Sequence, residues 1–132
     1  THTIKKIILF NCIATPRYST DNIALVFGND DLLNSLKKEF FNKDHLTDVI
    51  AFRLNDYAEK NVEGEIYISV PRAKENAKSF KEPFAKEVSR LIIHGGLHLL
   101  NYDDGTKEDK DTMTGKEEAY LKQCPWQNLI HE

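Results

Sequence analysis

His94 and His98 lie four residues apart. On an α-helix that spacing puts both rings on one face, about 5–6 Å apart at Cβ, where two imidazoles can share one metal ion. Asn101 follows as a residue that accepts a left-handed cap and turns the chain, so that Asp103 and Asp104 come back toward the helix. Asp104, ten residues beyond His94, completes HxxxHxxxxxD, the ligand spacing of zinc sites built on a helix and the turn after it. Three protein ligands leave one position for water. Zinc suits a mixed imidazole and carboxylate set, and two His with one carboxylate also hold iron. The plainer alternative makes one His a hydrogen-bonded core residue, the other an edge residue, and the two Asp a polar loop. Gly95 stands where an HExxH peptidase has its general-base Glu, which disfavours peptide hydrolysis.

The elements that must position these groups are legible in outline. From about Glu82 to Leu100 the residues Phe84, Ala85, Val88, Leu91, Ile92 and Leu99 share one wide helical face, with Glu87, Arg90, His94 and His98 as a stripe at its margin. Ile93, Leu97 and Leu100 add a second apolar flank, so the histidines ride on a helix surrounded by protein. Gly95 and Gly96 each cost ~1 kcal/mol relative to Ala in a helix interior, which implies a close approach there. Ile23–Phe27 reads as a strand ended by Gly28, then a helix capped by Asn29 or Asp30 with Leu32, Leu33, Leu36 and Phe40 at helical spacing. Residues 47–52 and 64–70 are β-rich runs expected to pair as neighbours. Pro71 sits where a first helical residue is allowed and opens a helix to about Phe80, and a last helix runs from about Glu108 to Gln123. Residues 4–10 suit a strand or a short helix equally.

The chain has 132 residues, enough for one domain (1–132) that buries roughly two-thirds of its unfolded surface. Hydrophobic residues at 40% exclude a disordered tail, and a formal charge of −3 argues against a globally basic nucleic-acid binder, so phosphate contacts must come from a local patch. No run approaches the ~20 apolar residues of a membrane span. Lys5 and Lys6 precede an apolar stretch as in a signal peptide, but Asn11 interrupts it and Pro16-Arg17 stand where small cleavage-site residues belong. Cys12 and Cys124, far apart and outside any CxxC, fit reduced thiols better than a disulfide scaffold or a Cys-based zinc site, a single disulfide stays open, and the cytoplasm is the expected compartment.

His94-Gly95-Gly96-Leu97-His98-Leu99-Leu100-Asn101-Tyr102-Asp103-Asp104 resembles the HGxLHLxGYDH signature of the YbeY family, single-strand-specific metallo-endoribonucleases of rRNA maturation and ribosome quality control. Residues 47–52 resemble that family's TDVLSF strand and residues 64–69 its GDIxIS strand, while Met113 and Glu117 fit the closing helix, so the likeness covers about residues 25–122. Asp104 replaces the family's third His, Asn101 its turn Gly, and Phe41 stands where the family often has an Arg used in cleavage. Carboxylate oxygen binds zinc at ~2.0–2.2 Å, so the first exchange keeps a ligand. It also lowers the net charge of the site and leaves a bound water less acidic.

The resemblance implies an α+β domain with a small mixed sheet of about four strands, helices against one face and a zincin-like metal cleft. It implies a metal-dependent hydrolase holding one zinc ion on His94, His98 and Asp104 and cutting single-stranded RNA in the small ribosomal subunit, with ribosome-assembly proteins as further partners. Asp48, whose strand borders the cleft in the family, would position substrate, and Arg53 or Lys43 would supply the missing cation. Tyr102 reads as a packing residue and Asp103 as the hydrogen-bond partner behind a ligating His. Lys74, Lys78 and Lys81 form a basic stripe suited to RNA, or simply a solvated helix face. Two other functions fit the same residues: an RNA- or protein-binding assembly factor with a structural metal, and a metal-dependent hydrolase of another substrate.

Overall fold

A computed structural model describes residues 3–4, 19–42, 47–124, 126–128 and 130–131. Its elements in chain order are β1 (Thr3–Ile4), β2 (Ser19–Gly28), α1 (Asp30–Phe41), β3 (Val49–Arg53), β4 (Asn61–Ser69), α2 (Val70–Phe80), α3 (Phe84–Leu99), α4 (Lys107–Gln123), a 3-10 turn (Trp126–Asn128) and β5 (Ile130–His131). The main sheet is mixed, in the order β2-β4-β3. β2 runs parallel to β4 with Leu25 beside Ile66, and β3 runs antiparallel with Ala51 beside Ile66. Among the described residues three strands pair in it, in keeping with the small mixed sheet expected, and β1 and β5 form a separate two-stranded ladder. The undecided stretch 4–10 and Lys43 lie outside the described residues, apart from Ile4.

Alternation along β4 sorts its side chains. Val62, Ile66 and Ile68 are fully buried and join Val88, Leu91, Ile92, Leu97 and Leu99 of α3 and Met113 and Leu121 of α4 in one core. Tyr67 and Glu65 point the other way. On that second face Phe52 stacks edge-on with Tyr67, at 5.8 Å between ring centroids, and meets Phe40 and Phe41 at 5.2 and 5.7 Å. The C-terminal end of α1 therefore lies on the face opposite α3, and the helices do not all gather on one side. The apolar pattern of α1 could not show this, because only Leu33 is buried, while Leu32 and Phe40 remain exposed.

The caps follow the sequence closely. Asn29 Oδ1 accepts the Leu32 N–H at 2.9 Å and starts α1. Ser69 Oγ accepts the Arg72 N–H at 3.3 Å and donates to Asp30 Oδ1 at 2.7 Å, tying the start of α2 to that of α1. Thr106 caps α4 through the Asp109 N–H. Cys124, expected as a reduced thiol, is disulfide-bonded; the one other cysteine of the chain, Cys12, lies outside the described residues.

Close contact between α3 and β4 explains one of the helix glycines. A Cβ built on Gly95 would stand 2.8 Å from Ile66 Cγ2, a branch fixed directly on a fully buried side chain. At the far end of the same interface a Cβ on Gly64 would meet Leu99 Cδ2 and the Phe52 carbonyl, each at 2.8 Å. These two approaches seat the histidine helix on the sheet. Helix propensity alone favours Gly95→Ala by ~1 kcal/mol, but the lost clearance costs about 1–3 kcal/mol. Urea unfolding is expected to show Gly95→Ala less stable than the unaltered chain; a gain in stability would contradict the close packing.

Candidate metal centre

α3 carries His94 and His98 one turn apart, and its end is built to return the chain. Asn101 adopts φ 73°, the Tyr102 N–H donates to the Leu97 carbonyl and the Asn101 N–H to that of His98, both at 3.0 Å. This paired closure is the left-handed helix end anticipated from Asn101. Asp103 Oδ1 accepts the Asp104 N–H at 2.8 Å and tightens the following turn. The Asp104 carboxylate thereby arrives 3.4 Å from His94 Nε2 and 3.4 Å from His98 Nε2, and the two imidazole nitrogens stand 3.1 Å apart. Ligands of a tetrahedral zinc at ordinary bond lengths are separated by about 3.3–3.5 Å. Two edges of the triangle have that length and the third, between the imidazoles, is a few tenths of an ångström shorter, and the chemistry of the three atoms suits zinc or a similar divalent ion.

Behind the triangle lies a polar network that sequence reasoning did not assemble. His94 Nδ1 is 2.7 Å from Glu117 Oε2. A carboxylate can only accept, so Nδ1 carries the hydrogen and a neutral His94 keeps its Nε2 lone pair toward Asp104 and His98. Glu117 Oε1 accepts from Arg90 NH1 at 3.2 Å. Arg90 also holds Glu87 with two parallel bonds, Nε to Oε1 at 2.8 Å and NH2 to Oε2 at 2.7 Å. Asn76 Nδ2 reaches both Glu87 and Asp48 at 3.0 Å, and Arg90 NH2 lies 3.9 Å from Asp48. The Glu87 and Glu117 side chains are 3% and 6% exposed. The expected partner behind the histidine, Asp103, is instead spent on its own turn. Glu117 shows one signal in the sequence: it interrupts the stripe Met113, Leu121 at four-residue spacing, a carboxylate where a buried apolar residue is due.

Asp48, at the start of β3, joins the network through Asn76 and is about a third exposed. Arg53 is not brought to the triad. Its guanidinium donates to Asn55 Oδ1 and to the carbonyls of Leu99, Asp56 and Glu59, pinning the β3–β4 connection to the end of α3. Lys74 and Lys78 are exposed on α2, and Lys81 forms its left-handed cap. Tyr102 is partly exposed beneath the Lys116 ammonium, 4.9 Å from its ring centre, and packs less than expected.

The family described as Endoribonuclease YbeY matches residues 2–125. The chain belongs to the YbeY family. It is 40% identical to Endoribonuclease YbeY of Flavobacterium psychrophilum over 111 residues, which cover 83% of this chain and 77% of that protein. It is 38% identical to the Amoebophilus asiaticus YbeY over 115 residues, 86% and 76% of the two chains, and 35% identical to that of Chlorobium phaeobacteroides over 118 residues, 89% and 84%. The solution structure of TM1509 from Thermotoga maritima superposes with a TM-score of 0.58 at 28% identity, covering 89% of this chain and 74% of the other. The YbeY fold thus carries the triad on α3 and the turn after it. Among the described residues no helix is long and apolar enough to cross a membrane.

Burial pulls the His94 pKa down, and the charge of Arg90 adds to that. The hydrogen bond that His94 donates to Glu117, with the charges of Glu117 and Asp104, outweighs both, and the group ends above its ordinary 6.5. A raised folded-state pKa gives stability that is complete below the unfolded value and is lost as pH rises through the folded one. In metal-free protein the difference in melting temperature between the unaltered chain and His94→Gln should be largest near pH 6 and shrink toward pH 8.5. A gap that stays constant or widens with pH would contradict the His94–Glu117 pairing.

Proposed function

We propose that this YbeY-family chain is a zinc-dependent endoribonuclease that cuts single-stranded RNA in maturation of small-subunit rRNA and serves ribosome quality control. The observation that carries the reading is the donor triangle of His94, His98 and Asp104, found in a chain whose relatives are named endoribonucleases. The three residues would hold the ion through His94 Nε2, His98 Nε2 and one Asp104 oxygen. A divalent cation there supplies Lewis acidity toward a phosphodiester and toward water. This chain's own residues do the rest: Glu117 fixes the His94 ring, and the left-handed turn at Asn101 delivers the Asp104 carboxylate. The half-exposed rims of His98 and Asp104 leave the triangle open to a flexible strand.

Asp48 is the better candidate for positioning substrate, since its carboxylate is partly exposed at the start of β3, whereas the Arg53 guanidinium is already committed to four acceptors. Lys74, Lys78 and Lys81 supply the basic track on the neighbouring helix. A binding factor with a structural metal is the second reading, favoured by Phe41, which stacks on Phe52 where the resemblance leads one to expect a cation. Metal analysis and RNA cleavage by the unaltered chain, His98→Ala and Asp104→Ala separate the two. One equivalent of metal is expected, with cleavage falling by more than the roughly 10–100-fold that loss of an outer partner costs. Metal without cleavage above the level of the variants would favour the binding factor, and cleavage surviving both substitutions would overturn the assignment of the site.

A further inference from the structure

Arg90 stands at the centre of the polar network without touching the donor triangle. Three of its atoms are already engaged: Nε and NH2 grip Glu87, and NH1 reaches Glu117. It comes from α3 and clamps a carboxylate on α4, while Asn76 of α2 links the same Glu87 to Asp48, the residue before β3. Three of the five N–H donors of Arg90 are thereby spent on carboxylates. Its geometry has another use. Glu117 offers one oxygen to Arg90 and the other to His94, so the direction of the first bond sets the direction of the second.

We infer that Arg90 is a positioning residue for the metal centre, fixing the Glu117 carboxylate that in turn orients the His94 ring. The inference rests on the triad being a metal site, and it makes a prediction of opposite sign to simple charge. Removing a cation near a metal ion raises affinity for the metal if only Coulomb repulsion is at stake. Removing the clamp releases Glu117 and lowers affinity instead. The planar fork matters as much as the charge, because an ammonium is a point donor and does not hold Glu87 with two parallel bonds while reaching Glu117.

The site also offers a direct chemical test. Arg90 lines a surface groove of about 350 Å³ bordered by Phe80, Lys86, Thr114, Glu117 and Leu121. A free guanidinium ion can reach the space left by a truncated side chain. The experiment measures Co²⁺ affinity by competition with a chelating dye for the unaltered chain, Arg90→Ala and Arg90→Lys, with helix content followed by circular dichroism. Arg90→Ala is expected to bind Co²⁺ about 10–100-fold more weakly, with Arg90→Lys in between. Guanidinium, below denaturing concentration, should restore part of the loss, and sodium at equal ionic strength should not. Equal or tighter binding by Arg90→Ala overturns the inference while leaving the metal site intact. If Arg90→Ala fails to fold, Arg90→Lys decides, and affinity equal to the unaltered chain overturns it. An unaltered chain that binds no Co²⁺ overturns both this inference and the reading beneath it.

Discussion

The bond between His94 Nδ1 and the Glu117 carboxylate sets the terms for the rest of the site. At 2.7 Å it fixes the tautomer, holds the ring in one orientation and leaves Nε2 facing His98 and Asp104. Without it the two imidazoles of α3 would share a face but not a common point. The bond requires a buried carboxylate, and a buried carboxylate is costly unless it is paired and hydrogen-bonded. The fold meets that cost by burying Glu117 and Glu87 around one guanidinium. The network therefore couples α2, α3, α4 and the start of β3 through charge as well as through apolar packing.

Two backbone constraints make this arrangement reachable. Gly95 lets α3 approach β4 closely enough for Ile66 to fill the space where a Cβ would sit, which sets the height of the histidines above the sheet. Asn101 then accepts the positive φ that closes the helix and returns Asp104 to it. The donor triad is thus two side chains on a rigid rod and one on a tight turn, with the turn stabilised by its own hydrogen bonds. Asp104 completes the donor geometry, because a short carboxylate on this turn reaches both nitrogens at the same distance.

Much of this was legible in the sequence wherever the determinants were local. The HxxxH spacing, the Asn101 cap, the acidic turn and the apolar face of α3 are all encoded within about twenty residues, and the structure reproduces them. The pairing of β3 with β4 was legible from two β-rich runs with a polar connection. The determinants that escaped are those joining distant residues. Glu117 meets His94 across 23 positions and Arg90 meets Glu117 across 27, and no periodicity links such pairs. Arg53 looked like a free cation near the cleft, yet its fork closes on backbone carbonyls that exist only once β3, its loop and the end of α3 have assembled. The position of α1 on the opposite face escaped for a related reason, since its exposed Leu32 and Phe40 blur the stripe that would have declared its orientation.

The claim that three donors converge on one cation is tested most directly by anomalous diffraction at the zinc edge from crystals of the zinc-loaded protein. The account predicts a single strong peak about 2.0–2.2 Å from His94 Nε2, His98 Nε2 and an Asp104 oxygen. A peak held by the imidazoles alone with Asp104 turned to solvent, or no peak at the triad, would contradict it.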